Sequence, residues 1–226
     1  MSVRASLLTV ALLVILAACG GTGGTTPPSA GSTITESPPS SDRGAPSASA
    51  TATSSQALTS GTSGPTTPNA CDGTLGADSV EDVQVPPGAT CMLEGTRISG
   101  DVKIERDGTL DADGIAVGGN VQSQGGAMVT IRDATIDGNI QLEQGGSAEV
   151  ADSRIDGDIQ WESQTGPLVA EGNDVAGNVQ AESNTGGLSI SENRIGGNLQ
   201  CESNDPAPTG GGNTVAGDRE GDCSSL

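Results

Sequence analysis

The residues of this chain that could do chemistry are amides and carboxylates that return at a fixed spacing. Two columns recur every 19 or 20 residues: Gln122, Gln141, Gln160, Gln180 and Gln200, and, two residues further on, Glu143, Glu162, Glu182 and Glu202. Clustered carboxylates suit Ca²⁺, and stacked amides can hydrogen-bond to one another. The pattern therefore predicts either a cation- or ligand-binding face that includes Gln141, Gln160 and Gln180, or a solvated acidic face that keeps the protein soluble.

The chain lacks the groups on which most catalytic sites are built. It has no histidine, so it has no His-based triad and no common general base for neutral pH. The sequence contains no Ser-x-x-Lys, Gly-x-Ser-x-Gly or phosphate-binding loop. Some β-helix enzymes cleave acidic polysaccharides with carboxylates, calcium and arginine, but the turns here are too short to build a cleft. We expect a non-enzyme in which Arg132, Arg154 and Arg194 pair with neighbouring acids.

A six-residue phrase, Ile/Val-x-Gly-Asn/Asp-Ile/Val-Gln, positions these columns. Its glycines are Gly100, Gly119, Gly138, Gly157, Gly177, Gly197 and Gly217. A fixed period of this size is typical of stacked repeats, and every second residue is apolar or small, as in a strand with one buried face. Two pairs of apolar columns predict two strands per coil. The expected fold is all-β: a single-stranded, right-handed parallel β-helix of about six to seven coils of 19–20 residues.

The turns and one aromatic residue refine this picture. The lengthening from 19 to 20 residues is expected in the turn between the strands. At the other corner stand Asn173, Asn193 and Asn213, a residue type that tolerates a left-handed backbone. Trp161 falls in an inward column, which favours a core filler, with carbohydrate stacking as the alternative. Arg219 takes an apolar position in the last coil and predicts a polar cap.

Four of the five cysteines lie at the two ends of the repeats. Cys71 and Cys91 are 20 residues apart and Cys201 and Cys223 are 22 apart, about one repeat each. The spacing predicts the disulfides Cys71–Cys91 and Cys201–Cys223, each stapling a terminal coil and each contributing about 3 kcal/mol. A metal site is the alternative, but no histidine, no Cys-x-x-Cys and no clustering supports it.

The N-terminal segment predicts export and lipid anchoring. Residues 1–18 contain one basic residue, Arg4, and then an apolar run too short for a bilayer of about 30 Å. The run ends in Leu16-Ala17-Ala18-Cys19-Gly20, which resembles the lipobox of bacterial lipoproteins. This resemblance implies cleavage before Cys19, a lipid on its sulfur, and a location in the cell envelope on the outer face of the cytoplasmic membrane. An ordinary signal peptide with an incidental cysteine is the alternative.

Residues 19–70 comprise the lipidated cysteine and a segment rich in Gly, Ser, Thr, Ala and Pro. The segment has too few apolar groups to offset the entropy of ordering its backbone, so we expect a disordered tether. The β-helix domain follows at residues 71–226. The net charge of the chain is −20, which disfavours nucleic acid and anionic lipid head groups as partners.

The Ile-x-Gly-Asn/Asp-Ile/Val phrase resembles the β-helix repeat of the bactofilins, the polymer-forming bacterial cytoskeletal proteins. The ending Gly196-Gly197-Asn198-Leu199-Gln200-Cys201-Glu202-Ser203-Asn204 is similar to secreted actinobacterial β-helix proteins without assigned activity. Bactofilins have no signal peptide, lipobox or paired cysteines. The resemblance therefore implies the fold of this chain rather than filament formation inside the cell.

We expect a cell-envelope lipoprotein that presents a non-catalytic acidic β-helix as a structural or interaction module. The alternatives are a carbohydrate-binding or polysaccharide-acting β-helix protein of the cell wall and a self-associating envelope scaffold. The expected partners are the membrane, through the lipid anchor, and a cell-wall glycan or an envelope protein. We expect a monomer with no resident cofactor, Ca²⁺ being the one candidate ion.

The lipobox generates the first prediction. Mass spectrometry of the mature protein should find an N-terminus at Cys19 that carries the mass of a diacylglycerol. A mature N-terminus with an unmodified thiol would contradict the lipid anchor.

Overall fold

The computed structural model describes residues 69–226. The predicted signal peptide, the lipidation of Cys19 and nearly all of the tether fall on residues 1–68 and lie outside the described residues. Residues 69–226 form strands and turns. No helix among them is long and apolar enough to cross a membrane.

Three sheets of parallel strands surround one core, so each coil has three sides. Face A consists of β1 Asn69–Ala70, β4 Val83–Val85, β7 Val102–Ile104, β10 Val121–Gln124, β13 Ile140–Glu143, β16 Ile159–Glu162, β19 Val179–Glu182, β22 Leu199–Glu202 and β25 Arg219–Gly221. Face B consists of β2 Gly73–Leu75, β5 Thr90–Glu94, β8 Thr109–Asp113, β11 Met128–Arg132, β14 Ser147–Ala151, β17 Leu168–Glu171, β20 Leu188–Ser191 and β23 Thr209–Gly211. Face C consists of β3 Ser79–Val80, β6 Arg97–Ile98, β9 Ala116–Val117, β12 Thr135–Ile136, β15 Arg154–Ile155, β18 Asp174–Val175, β21 Arg194–Ile195 and β24 Thr214–Val215.

The fold is the predicted all-β parallel β-helix, with about eight coils where the glycine phrase predicts six to seven. The additional coil is N-terminal, where Glu81-Asp82 stands in place of the Gly-Asx of the phrase. A Cβ on Gly100 would lie under 3.0 Å from the backbone oxygen of Glu81, in the coil before it. The described residues begin at Asn69, so the corner that would lie beneath Glu81 is outside them. The right-handed winding stays a prediction.

Each coil has three strands, and the prediction of two is wrong. Ile136 and Ile140 both face the core, and their spacing in the sequence is that of a single alternating strand. In the structure Ile136 ends β12 and Ile140 begins β13, while Asp137, Gly138 and Asn139 turn the chain between them. The turn preserves the alternation of inward and outward residues, and so the sequence pattern does not reveal the corner.

The change of repeat length falls where the sequence predicts it. Leu142 pairs with Trp161, 19 residues later, whereas Ala148 pairs with Leu168, 20 residues later. The extra residue therefore lies in the turn from face A to face B, between Trp161 and Leu168. Both sheets keep their register because the turn absorbs the insertion.

The last coil closes the core with small and polar residues. Arg219 lies opposite Leu199 and is exposed, and its guanidinium donates a 2.9 Å hydrogen bond to the backbone oxygen of Asn213. Gly210 and Gly221 lie opposite the buried Ile190 and Cys201. Val215 and Leu226 are partly buried against the core, so this coil leaves no large apolar side chain fully exposed, as a solenoid end requires. The predicted polar cap is confirmed.

The corner between faces B and C differs from the prediction for its asparagines. The left-handed residues are their predecessors, with φ of 68° at Gly172, 58° at Glu192 and 75° at Gly212. The asparagine side chains are instead buried in a ladder, in which Nδ2 of Asn173 donates to Oδ1 of Asn193 at 2.9 Å, and Nδ2 of Asn193 to Oδ1 of Asn213 at 3.1 Å. Each Nδ2 also donates to a backbone oxygen of the preceding coil, 2.8 or 2.9 Å away.

This ladder gives the second prediction. Asn193→Ala should lower the free energy of unfolding by about 3 kcal/mol, because it leaves buried amide and carbonyl groups without partners. Asn178→Ala is the matched control and should cost only about 1 kcal/mol, since Asn178 is half-exposed and water can replace its contacts. Urea denaturation measures both variants. Equal losses would contradict a special role for the buried ladder.

Candidate functional site

The predicted row of glutamates exists on face A. In the strand register Glu143 lies beside Glu162, Glu162 beside Glu182, and Glu182 beside Glu202. All four side chains are exposed. Strands in one sheet lie about 4.8 Å apart, so the row carries one negative charge at about that interval. Like charges in neighbouring positions repel, which makes the row a cost to stability.

The glutamine column beside this row forms a ladder over part of its length. Nε2 of Gln122 donates to Oε1 of Gln141, and Nε2 of Gln141 donates to Oε1 of Gln160, both at 3.2 Å. At the other end of the column Nε2 of Gln200 donates to Glu220 at 2.8 Å. Within the described coils the side-chain amide of Gln180 makes no hydrogen bond. On one half of face A the glutamine side chains therefore pair with one another, and on the other half the amide of Gln180 is available.

The geometry of face A does not gather its carboxylates around a point. A flat parallel sheet presents its outward side chains side by side, whereas Ca²⁺ takes six to eight oxygen ligands arranged around it. In residues 69–226 no group of three or more His, Cys, Asp or Glu side chains is placed to hold a metal ion. The glutamate row is therefore an extended line of negative charge along the face.

A second ladder, which the sequence analysis missed, positions face A. At the corner before this face, a backbone N–H of each coil donates to the Asx Oδ1 of the coil before, at 2.6–2.9 Å. The residues are Asp82, Asp101, Asn120, Asn139, Asp158, Asn178, Asn198 and Asp218. Their signal in the sequence is the Asn or Asp that follows every glycine of the phrase.

The same ladder explains the glycines of the phrase. A Cβ on any of them would lie under 3.0 Å from the Asx Oδ1 of the preceding coil. Real Cβ atoms do not approach so closely, so the hydrogen-bonding oxygen occupies the space that a side chain would need. In each Gly-Asx pair, the glycine leaves space for the Asx Oδ1 of the preceding coil, and the backbone N–H of the following Asx donates a hydrogen bond to that oxygen. The pair is therefore the unit that stacks one coil on the next.

Arg132 of face B and Arg154 and Arg194 of face C pair with acids, as predicted. Arg132 contacts Glu149 at 2.9 Å and Asp111 at 3.7 Å, and the hydrogen bond that this guanidinium donates to Glu149 raises its pKa. On face C, Arg154 lies 2.6 Å from Asp156, and Asp174 lies between Arg154 and Arg194. These groups are well exposed, so each pair contributes about 0–1 kcal/mol.

Trp161 and the four cysteines are structural. Trp161 is 1% exposed between Leu142 and Ala181, so its ring fills the core and offers no surface on which a sugar could stack. Among the buried side-chain nitrogens and oxygens of residues 69–226, its Nε1 alone has no hydrogen-bond partner. The predicted disulfides are confirmed: Cys71–Cys91 and Cys201–Cys223, with Cα–Cα distances of 5.4 and 5.2 Å.

Comparison of the chain with protein-family models, with curated proteins and with solved structures finds no match.

The glutamate row gives the third prediction. Glu182→Gln should raise the free energy of unfolding by about 0.5 kcal/mol, because it removes a charge that faces a like charge on both sides. High salt should reduce this gain by screening the row. Glu171→Gln on face B is the matched control, since its register neighbours are Ala151 and Ser191. Thermal or urea unfolding measures both variants, and an equal gain in the control would contradict repulsion along the row.

Proposed function

We propose that this chain is a cell-envelope lipoprotein whose folded part is a non-catalytic acidic rod, acting as a structural or interaction module. One observation carries the proposal. Three continuous parallel sheets present flat faces, their corners are tied by side-chain ladders, and the turns between them are short. Such an architecture holds groups at fixed intervals along an axis and does not build a deep, water-excluding cleft.

The rod is better suited to a structural or docking role than to catalysis. About eight coils at about 4.8 Å make it about 40 Å long. Adjacent coils are joined along every face by parallel backbone hydrogen bonds and at the corners by asparagine and aspartate side chains. A mechanically continuous body of this kind supports a spacer or docking role.

The absence of histidine from the chain supports a non-catalytic role, because general acid–base catalysis near neutral pH most often uses that side chain. The outward glutamates of face A lie in an exposed row, and the outward arginines of faces B and C are largely occupied by surface acids. Nothing in this arrangement pairs a nucleophile with a base.

The ends of the rod support a monomer over a self-associating scaffold. At the N-terminal limit of the described residues, Asn69 and Gly73 lie opposite Val83 and Cys91, and the partly buried Leu75 lies opposite Leu93. At the other end Arg219 and Gly221 lie opposite Leu199 and Cys201. A disulfide closes each end. Stacking a second rod on such ends would bury polar groups and little apolar surface.

Carbohydrate binding is the second candidate, favoured by one feature of face A. Gln180, a member of the glutamine column, lines a shallow groove with Glu182, Gln200 and Glu202. Amide and carboxylate side chains are the polar groups that fix hydroxyl-rich ligands in a site. The free amide of Gln180 therefore offers a contact for a cell-wall glycan.

Detergent-phase partitioning and a glycan array test the proposal together. The full chain should enter the detergent phase, and the Cys19→Ser variant should remain in the aqueous phase. On the array, a structural rod should bind no glycan. Binding that Gln180→Ala abolishes, and that the self-paired Gln122→Ala control retains, would replace the structural role by the carbohydrate candidate. Aqueous partitioning of the unaltered chain would contradict the anchor.

A further inference from the structure

The outer surface of face C carries a groove at its N-terminal end. It is an open, shallow depression with a volume of about 460 Å³, and residues of the first four coils line it. Its floor is Ala116 and Gly118. A Cβ on Gly118 would lie under 3.0 Å from the backbone oxygen of Ser99, so this position must stay open.

Arg97 stands at the edge of this groove with an available guanidinium. Its register neighbours are Ser79 and Ala116, which carry no charge. Arg154 and Arg194 occupy the same column further along and are paired with Asp156 and Asp174. Within residues 69–226 the side chain of Arg97 makes no salt bridge. The N-terminal part of face C therefore presents an unneutralised cation where the C-terminal part neutralises its own.

Acidic side chains lie on either side of the small floor. Glu81 and Asp137 belong to the other outward column of face C, beyond Ser99 and Gly118 respectively. Two coil spacings and an offset of two residues separate Arg97 from Asp137, a distance of about 12 Å between backbone positions. The groove thus holds Arg97 and Glu81 toward its N-terminal end and Asp137 at its C-terminal end.

We infer that this groove binds a short, extended peptide that carries both a free carboxylate and a free ammonium group. An extended chain advances about 3.3–3.6 Å per residue, so roughly three residues span the distance from Arg97 to Asp137. The carboxylate lies on the Arg97 guanidinium, which is suited to bidentate contact. The ammonium lies on Asp137, and the peptide backbone crosses Ala116 and Gly118.

Charge complementarity selects this occupant over others. Nucleic acids and polyanionic glycans meet the field of a chain with net charge −20, which repels them. A neutral sugar finds no aromatic platform here, since the sole tryptophan is buried in the core. A zwitterionic peptide is electrically neutral as a whole, and each of its ends meets a group of opposite charge. The inference does not depend on the lipid anchor or on the envelope location.

Titration of the full chain with Ala-Ala-Ala, followed by NMR, tests the inference. The backbone amide signals of Ala116, Gly118 and Thr135 should shift at millimolar peptide and saturate. C-terminal amidation of the peptide, or the substitution Arg97→Gln, should each weaken binding about tenfold, because a charge-assisted contact is lost. Arg194→Gln, an exposed arginine of the same column, is the matched control and should bind as the unaltered chain does.

A second pair of variants tests the floor without touching charge. Ala116→Leu should abolish the shifts by filling the groove, whereas Ala176→Leu, at another small outward position of face C, should leave them unchanged. Far-UV circular dichroism verifies that each variant is folded. Absence of saturable shifts, equal binding of the amidated peptide, or equal losses in both controls would overturn the inference. These outcomes measure peptide binding at the groove, so they are independent of the detergent-partitioning experiment that tests the lipid anchor.

Discussion

The stacking of the coils depends on one kind of hydrogen bond that recurs at seven successive corners; each bond is partly exposed and contributes little alone, but together they set the repeat. At the corner before face A, a backbone N–H donates to the Asx oxygen of the preceding coil, at 2.6–2.9 Å. That bond satisfies a donor that the turn would otherwise leave unpaired, and it fixes the distance between coils at a corner where the sheet pattern is interrupted. The glycine of each repeat exists to admit the oxygen.

Strict stacking has a consequence for the surface. Once every coil repeats the register of the one before, identical outward residues form rows, whether or not their proximity is favourable. For some glutamines of face A this proximity is favourable, because their side-chain amides hydrogen-bond to one another. The glutamates of the same face repel. Parallel backbone ladders, buried asparagines and a core of aliphatic residues outweigh that repulsion, so the rod can carry a dense negative field and remain folded.

The columns also show how far sequence reasoning extends. Alternation and period were enough to predict the fold, the burial of Trp161, the turn that absorbs the inserted residue and both disulfides. They failed at Ile136 to Ile140, where a corner keeps the parity of a strand, and at Asn173, Asn193 and Asn213, whose side chains proved more important than their backbone angles. They also missed the first coil, because Glu81-Asp82 stands there in place of the Gly-Asx of the phrase.

By itself the sequence determined which residues face inward and how often the chain repeats, because alternation and period are local properties that follow from strand geometry. Only the tertiary structure decided where the chain turns, which asparagines join into ladders, and which charges remain unpaired. Those features depend on what lies in the adjacent coil. Arg97 and Arg194 are alike in sequence context, each preceding an inward isoleucine, yet one has an alanine and a serine beside it and the other has Asp174. Their difference arises from stacking alone.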